Sequence, residues 1–160
     1  MSDDASDPGG DGDARPGDGE TDGDAPIAVG DTLTTGSRTI TEADVVNFAG
    51  VSGDFNRLHV DREADQPFGE RIVHGALVFS VMTGLAWQAR GGDASPVFYG
   101  VDDMRFVQPV FIDDTLTVEL EVTEVTDSDV PGADHKLTQR AEVRNQHDAV
   151  VLSADLLALL

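Results

Sequence analysis

The chain has 160 residues, with 31 Asp and Glu against 10 Lys and Arg, a formal charge of −21, and no cysteine. That length suits one domain with a core of its own. The charge excludes a surface of clustered Lys and Arg, so neither nucleic acid nor an anionic membrane is an expected partner. The missing thiols exclude a disulfide framework and a cysteine nucleophile, and they fit a reducing compartment.

Residues 1–25 are rich in Asp and Gly; eight Asp, Glu20 and Arg15 give them −8 of the total −21, leaving −13 on residues 26–160. With almost nothing apolar to bury, this segment cannot offset its ordering entropy. A disordered tail over 1–25 and a folded domain over 26–160 are expected. The tail also lacks the basic region and apolar stretch of a secretory signal, which points to the cytoplasm. The domain remains acidic, with Lys136 its single lysine. At ~1 M salt the screening length falls to roughly 3 Å and such self-repulsion largely disappears, so the composition suggests a salt-rich cytoplasm.

A Thr-rich, β-favouring run over 32–40 reads as a first strand. Thr41 then resembles an N-cap with Glu42 and Asp44 in the following turn, predicting a short helix over 42–49 that ends at Gly50. Ser52, Gly53, Asp54 and Asn56 are turn formers. Between Gly75 and Trp87 only Ser80 and Thr83 carry polar side chains, so the segment 74–92 predicts a helix buried on every side, with Met82, Trp87 and Phe79 in the core. It is shorter than the ~20 residues a membrane span requires. Beyond it the period changes to two. Val97–Phe106, Thr115–Val122, a run through Leu137, Ala141 and Val143, and a run from Val150 predict antiparallel strands, with turns at Pro131-Gly132 and Asn145–Asp148. One buried helix and one curved antiparallel sheet make an α+β domain in which the sheet wraps the helix.

Asp54 and His59 are five apart, on different faces of any helix and opposite faces of any strand. Only a curled loop lets both meet one small molecule. Asn56 is suited to organising that loop. His74, just before the long helix, reads as a capping or packing residue, and His135 and His147 as solvated. Neither an HExxH pattern nor a Cys/His set appears, and the tail lacks the spacing of a calcium loop, so no metal is expected.

The run from Phe48 to His59, FAGVSGDFNRLH, followed by Ile72-Val73-His74-Gly75 and then by Met104-Arg105-Phe106 and Pro109-Val110, resembles the MaoC-like family over about residues 28–160. That family includes the (R)-specific enoyl-CoA hydratases. The resemblance implies a hot-dog fold, a homodimer with sites at subunit junctions, and reversible hydration of a trans-2-enoyl-CoA to the (R)-3-hydroxyacyl-CoA, with the CoA thioester as substrate and no cofactor. It makes Asp54 the base on a shared water and His59 the acid for C2. Gly75, opening the long helix, would offer its N–H to the thioester oxyanion and, lacking Cβ, allow close approach. Ser80 or Thr83 would add a hydrogen bond, Thr83 matching the position of a serine in the family's short hydratases. Arg57, Arg71 and Arg105 are candidates for the CoA phosphates. Arg57 itself departs from the family pattern, which has proline after the Asn, and this bears on how rigidly the loop is held. Two other functions share the ligand: a hot-dog acyl-CoA thioesterase, and a non-catalytic acyl-CoA-binding or polyester-granule-associated subunit. The GDxN…H loop argues against the first, and the presence of both reactive residues against the second.

Overall fold

The structure is a computed structural model that describes residues 27–63, 67–90 and 96–160. The acidic tail expected over 1–25 lies outside them, as do Gly91 and Gly92. In chain order the elements are β1 (Thr32–Thr34), β2 (Arg38–Thr39), α1 (Glu42–Ser52), α2 (Arg57–Val60), α3 (Gly75–Ala89), β3 (Val97–Phe106), β4 (Thr115–Asp127), β5 (His135–Arg144) and β6 (Val150–Leu159).

The single strand expected over 32–40 is two short ones, both antiparallel to β4. Thr35 separates them. Its N–H donates to the Val118 carbonyl, and its hydroxyl oxygen accepts the Val118 N–H at 3.0 Å, replacing a backbone acceptor while the chain bends. α1 starts as expected, with Thr41 and Asp44 forming a reciprocal capping box. It runs past Gly50, however, and stops at Gly53, which takes the left-handed conformation at φ 76° and returns its N–H to the Ala49 carbonyl. A helix ends where a residue leaves helical φ, and here Gly53 does so while Gly50 stays helical.

The sheet runs β1-β4-β5-β6-β3, with β2 also on β4. Period-two alternation holds along the long strands: Leu116, Val118, Leu120 and Val122 of β4 point inward, as do Ala141 and Val143 of β5 and Leu152, Ala154 and Leu156 of β6. All but Val122, which packs with Leu137 and Ala158 in a second cluster, close on Leu77, Val78, Val81, Met82 and Leu85 of α3. On the outer face, Arg144 pairs with Glu119 at 2.8 Å and Arg140 with Asp155 at 2.9 Å. This is the α+β hot-dog arrangement, a curved antiparallel sheet around one central helix.

α3 is not covered on every side. Ala76, Ser80 and Trp87 are exposed and Thr83 is half-buried. At helical spacing these residues share one face, and one sheet wraps only the opposite face. Trp87, 53% exposed, is therefore not core, whereas Met82 is fully buried and Phe79 packs half-buried against the core and against Phe98. No helix among the described residues is long and apolar enough to cross a membrane.

Candidate active site

Three local structures converge on one point: the C-terminal end of α1, the single turn α2, and the N-terminus of α3. The Gly53 turn releases the chain from α1. Asp54 then accepts the Asn56 N–H on Oδ1 at 3.1 Å, and the Asn56 side chain accepts the Leu58 N–H at 3.0 Å, capping α2. Asn56 is thus the loop organiser its residue type suggests. What the sequence reading took for loop throughout includes a helical turn, and that turn swings His59 back toward Asp54.

His59 is buried, and its Nδ1 faces the Ile72 carbonyl at 2.8 Å. A carbonyl only accepts, so Nδ1 carries a hydrogen and Nε2 is the exchangeable nitrogen. Nε2 lies 3.8 Å from Asp54 Oδ2, too far for a direct hydrogen bond and a separation that a water can bridge. Asp54 is half-exposed, and its Oδ2 accepts no hydrogen bond among the described residues.

Behind this pair sits His74. It is 2% exposed, and its ring stacks on His59 with centroids 3.8 Å apart. Its Nε2 reaches the Asp54 carbonyl oxygen at 2.9 Å, and its Nδ1 is buried with no partner among the described residues. The capping expectation fails in its side-chain form, since His74 occupies the N-cap position of α3 without a side-chain cap bond. Packing describes it better. The sequence offered one signal for its importance, its place beside Gly75. Asp54, His59 and His74 bring potential ligand atoms within 4.8 Å of one another. Stacked rings direct their in-plane lone pairs side by side rather than toward a common point, and one nitrogen of each is engaged by a carbonyl, so the grouping suits proton handling better than a shared ion.

His59 and Gly75 both line a cleft of about 630 Å³, otherwise walled mainly by apolar side chains such as Phe68, Ile72, Phe79, Met104 and Phe106. Gly75 N–H, the first of α3, has no acceptor among the described residues. A Cβ on Gly75 would lie 2.7 Å from Phe106 Cζ. The space a side chain would fill is taken by this ring, which sequence reasoning did not connect to the site.

The remaining candidates stand apart from this centre. Ser80 and Thr83 do not line the cleft. Their hydroxyls donate to helix carbonyls, Ser80 to Ala76 at 2.8 Å and Thr83 to Ser80 at 2.9 Å. Arg57 is exposed and pairs with Asp61 at 3.0 Å. Arg71 is nearly buried against Glu42 at 3.2 Å, and Arg62 pairs with that carboxylate too. Burial pushes the Glu42 carboxyl up, but the Arg71 hydrogen bond and the two guanidinium charges outweigh it and hold the group below its usual range. Arg105 is exposed and donates to the Met104 carbonyl. His135 and His147 are exposed.

Residues 25–145 match the family described as MaoC like domain. Protein MaoC of Klebsiella aerogenes is 42% identical over 114 residues, 69% of this chain and 33% of that protein. An (R)-specific enoyl-CoA hydratase of Aeromonas caviae is 40% identical over 89 residues, 54% of this chain and 65% of that enzyme. The matches thus span from one third to just under two thirds of these curated relatives. Among solved structures, an Archaeoglobus monoamine oxidase regulatory protein superposes with a TM-score of 0.77 at 38% identity, covering 84% of this chain and 90% of that one. The (R)-hydratase from A. caviae involved in PHA biosynthesis gives 0.68 at 32% identity, covering 82% and 95%.

Proposed function

Since the chain belongs to the MaoC-like domain family, we propose that it catalyses the reversible hydration of a trans-2-enoyl-CoA to the (R)-3-hydroxyacyl-CoA. One observation carries this reading: Asp54 Oδ2 and His59 Nε2 face each other across 3.8 Å, next to an apolar cleft that His59 and Gly75 both line. That spacing suits one water between a base and an acid.

In the hydration direction the Asp54 carboxylate takes a proton from the water as its oxygen bonds to C3. The C2=C3 electron pair moves toward the thioester, whose oxygen gains charge against the Gly75 N–H at the positive end of α3. A protonated His59 Nε2 then delivers its hydrogen to C2. The proton left on Asp54 returns to Nε2 through the next water, restoring the pair. The Ile72 carbonyl keeps the other ring hydrogen on Nδ1, so that only Nε2 exchanges. For an acyl chain, the apolar cleft supplies the binding surface.

The active form is a homodimer in the cytoplasm. β3 is a sheet edge on which Val97, Phe98, Tyr99 and Phe106 are exposed, beside the uncovered Ala76–Trp87 face of α3. A second copy would cover both. The acidity of the domain suits a salt-rich interior.

Crotonyl-CoA incubated with the full chain tests the activity. Enoyl absorbance should fall with no free thiol, giving the (R)-3-hydroxy product. Thiol release would make the protein a thioesterase, and tight binding without either change would make it a binding module.

A further inference from the structure

We infer that His74 is a positioning residue, a latch that fixes Asp54, His59 and the Gly75 N–H relative to one another; the inference rests on reading Asp54 and His59 as the reacting pair. A histidine that is 2% exposed, with no partner for Nδ1 among the described residues, is costly, because burying a polar atom unpaired forfeits its hydration. An apolar ring would fill the same space without that cost. What the imidazole adds is its other nitrogen, which donates to the Asp54 carbonyl at 2.9 Å.

That bond ties the backbone of the half-exposed Asp54 loop to a buried point. The same ring stacks on His59, limiting its tilt toward Asp54. The backbone carbonyl of His74 accepts the N–H groups of Leu77 and Val78 at 3.0 and 3.1 Å, starting the helix whose first residue is Gly75. One residue therefore sets the distance from the water-holding pair to the proposed oxyanion donor. Misplacement of such groups by about 1 Å can cost ~100-fold in rate.

The test is a set of variants of the full chain, assayed by enoyl-CoA hydration and thermal melting. His74→Phe keeps a ring against His59 and Phe48 and deletes both nitrogens. It should lower kcat by ~10–100-fold with KM within about threefold, while Tm stays equal or rises because the unpaired Nδ1 is gone. His74→Gln can still donate to the carbonyl and should recover kcat to within about tenfold of wild type. In an Asp54→Asn background, His74→Phe should add almost nothing, since it acts through the groups already disabled. A fall in kcat that merely tracks a fall in Tm, or a full additional loss in the Asp54→Asn background, would reduce His74 to a packing residue. An unchanged kcat in His74→Phe alongside an inactive Asp54→Asn overturns the latch alone, whereas an active Asp54→Asn overturns the reading of the pair. Imidazole nitrogen NMR of the wild-type protein decides the same question without any variant: His74 should carry its hydrogen on Nε2, and an Nδ1–H form would refute the bond.

Discussion

The two ends of α1 each carry an aspartate, and they are treated in opposite ways. At the N-terminal end, both oxygens of Asp44 are engaged. Its Oδ1 accepts from Arg38 at 2.7 Å, and its Oδ2 accepts the Thr41 N–H at 2.9 Å and the Thr41 hydroxyl at 2.8 Å. The backbone bond from Thr41 is the strongest influence, and with the other donors it outweighs partial burial and holds the Asp44 carboxyl below its usual value. At the C-terminal end, Asp54 has one oxygen on the Asn56 N–H and leaves the other facing an imidazole. A carboxylate with both oxygens engaged by donors is a poorer base, while one with an oxygen that accepts no hydrogen bond among the described residues, beside an imidazole, is available for chemistry. In a chain with 31 acids, the distinction comes from donors in place, not from composition.

The largest expected effect breaks or keeps this contrast outright. Asp54→Asn should lower kcat by at least ~100-fold with Tm nearly unchanged, because it removes a base from a loop and leaves the shape. Asp44→Asn should leave kcat within about twofold. Hydration assays on both variants check the pair, and an active Asp54→Asn with an inactive Asp44→Asn would reverse the assignment.

Gly75 sharpens the picture of what the Asp54 end faces. Gly75→Ala drives a methyl to 2.7 Å from the Phe106 ring, so the ring or the helix start must shift. The expected cost is ~1–3 kcal/mol of stability, as for overpacking, with kcat down about tenfold. Adding Phe106→Ala should restore Tm. If kcat returns as well, the glycine serves the ring alone; if kcat stays low, the missing Cβ serves substrate approach too.

Much of this was legible in the sequence, for reasons tied to particular residues. The alternation in Thr115–Val122 and after Val150 gave the wrapped sheet because one face of each strand is buried. Thr41 with Asp44 gave the start of α1. The end of α1 was misplaced because Gly50 and Gly53 look alike as letters, and only backbone φ separates them. Trp87 was misplaced because hydrophobicity does not say which helix face the sheet covers. The Asp54–His59 pairing followed from motif and spacing. The Ile72 carbonyl, the Phe106 ring over Gly75 and the stacking of His74 did not, since each depends on contacts between segments that no local pattern encodes.

At the N-terminal end of α1, Asp44→Ala should cost about 1 kcal/mol by removing the capping box. The sign with pH is fixed by the lowered carboxyl. The charged form is favoured in the folded state, so its contribution is complete above the ordinary value of 3.8 and is lost as pH falls below it toward the folded-state value. Thermal melts should therefore separate wild type from Asp44→Ala at neutral pH and bring them together in that acid window. A gap that persists at the lowest pH would mean the carboxylate's charge is not what stabilises this end.

The smallest expected effect concerns how the C-terminal end is held. Arg57 is the first residue of α2, the position where proline is best tolerated in a helix. Asn56 before it sits at φ −57° and ψ 137°, the extended conformation a following proline requires. Arg57→Pro should therefore fit without strain. It would gain ~0.4–1 kcal/mol by restricting the unfolded chain and lose the arginine's side-chain interactions, among them the exposed pairing with Asp61, worth about 0.3–0.5 kcal/mol. The net change in stability should stay under ~1 kcal/mol. Because the loop is already fixed through His74, kcat should change less than twofold. In a His74→Phe background, where that hold is gone, the same proline should recover part of the lost kcat. A severalfold gain in the otherwise wild-type chain would mean that the arginine leaves Asp54 loose, and that the two ends of α1 differ in rigidity as well as in hydrogen bonding.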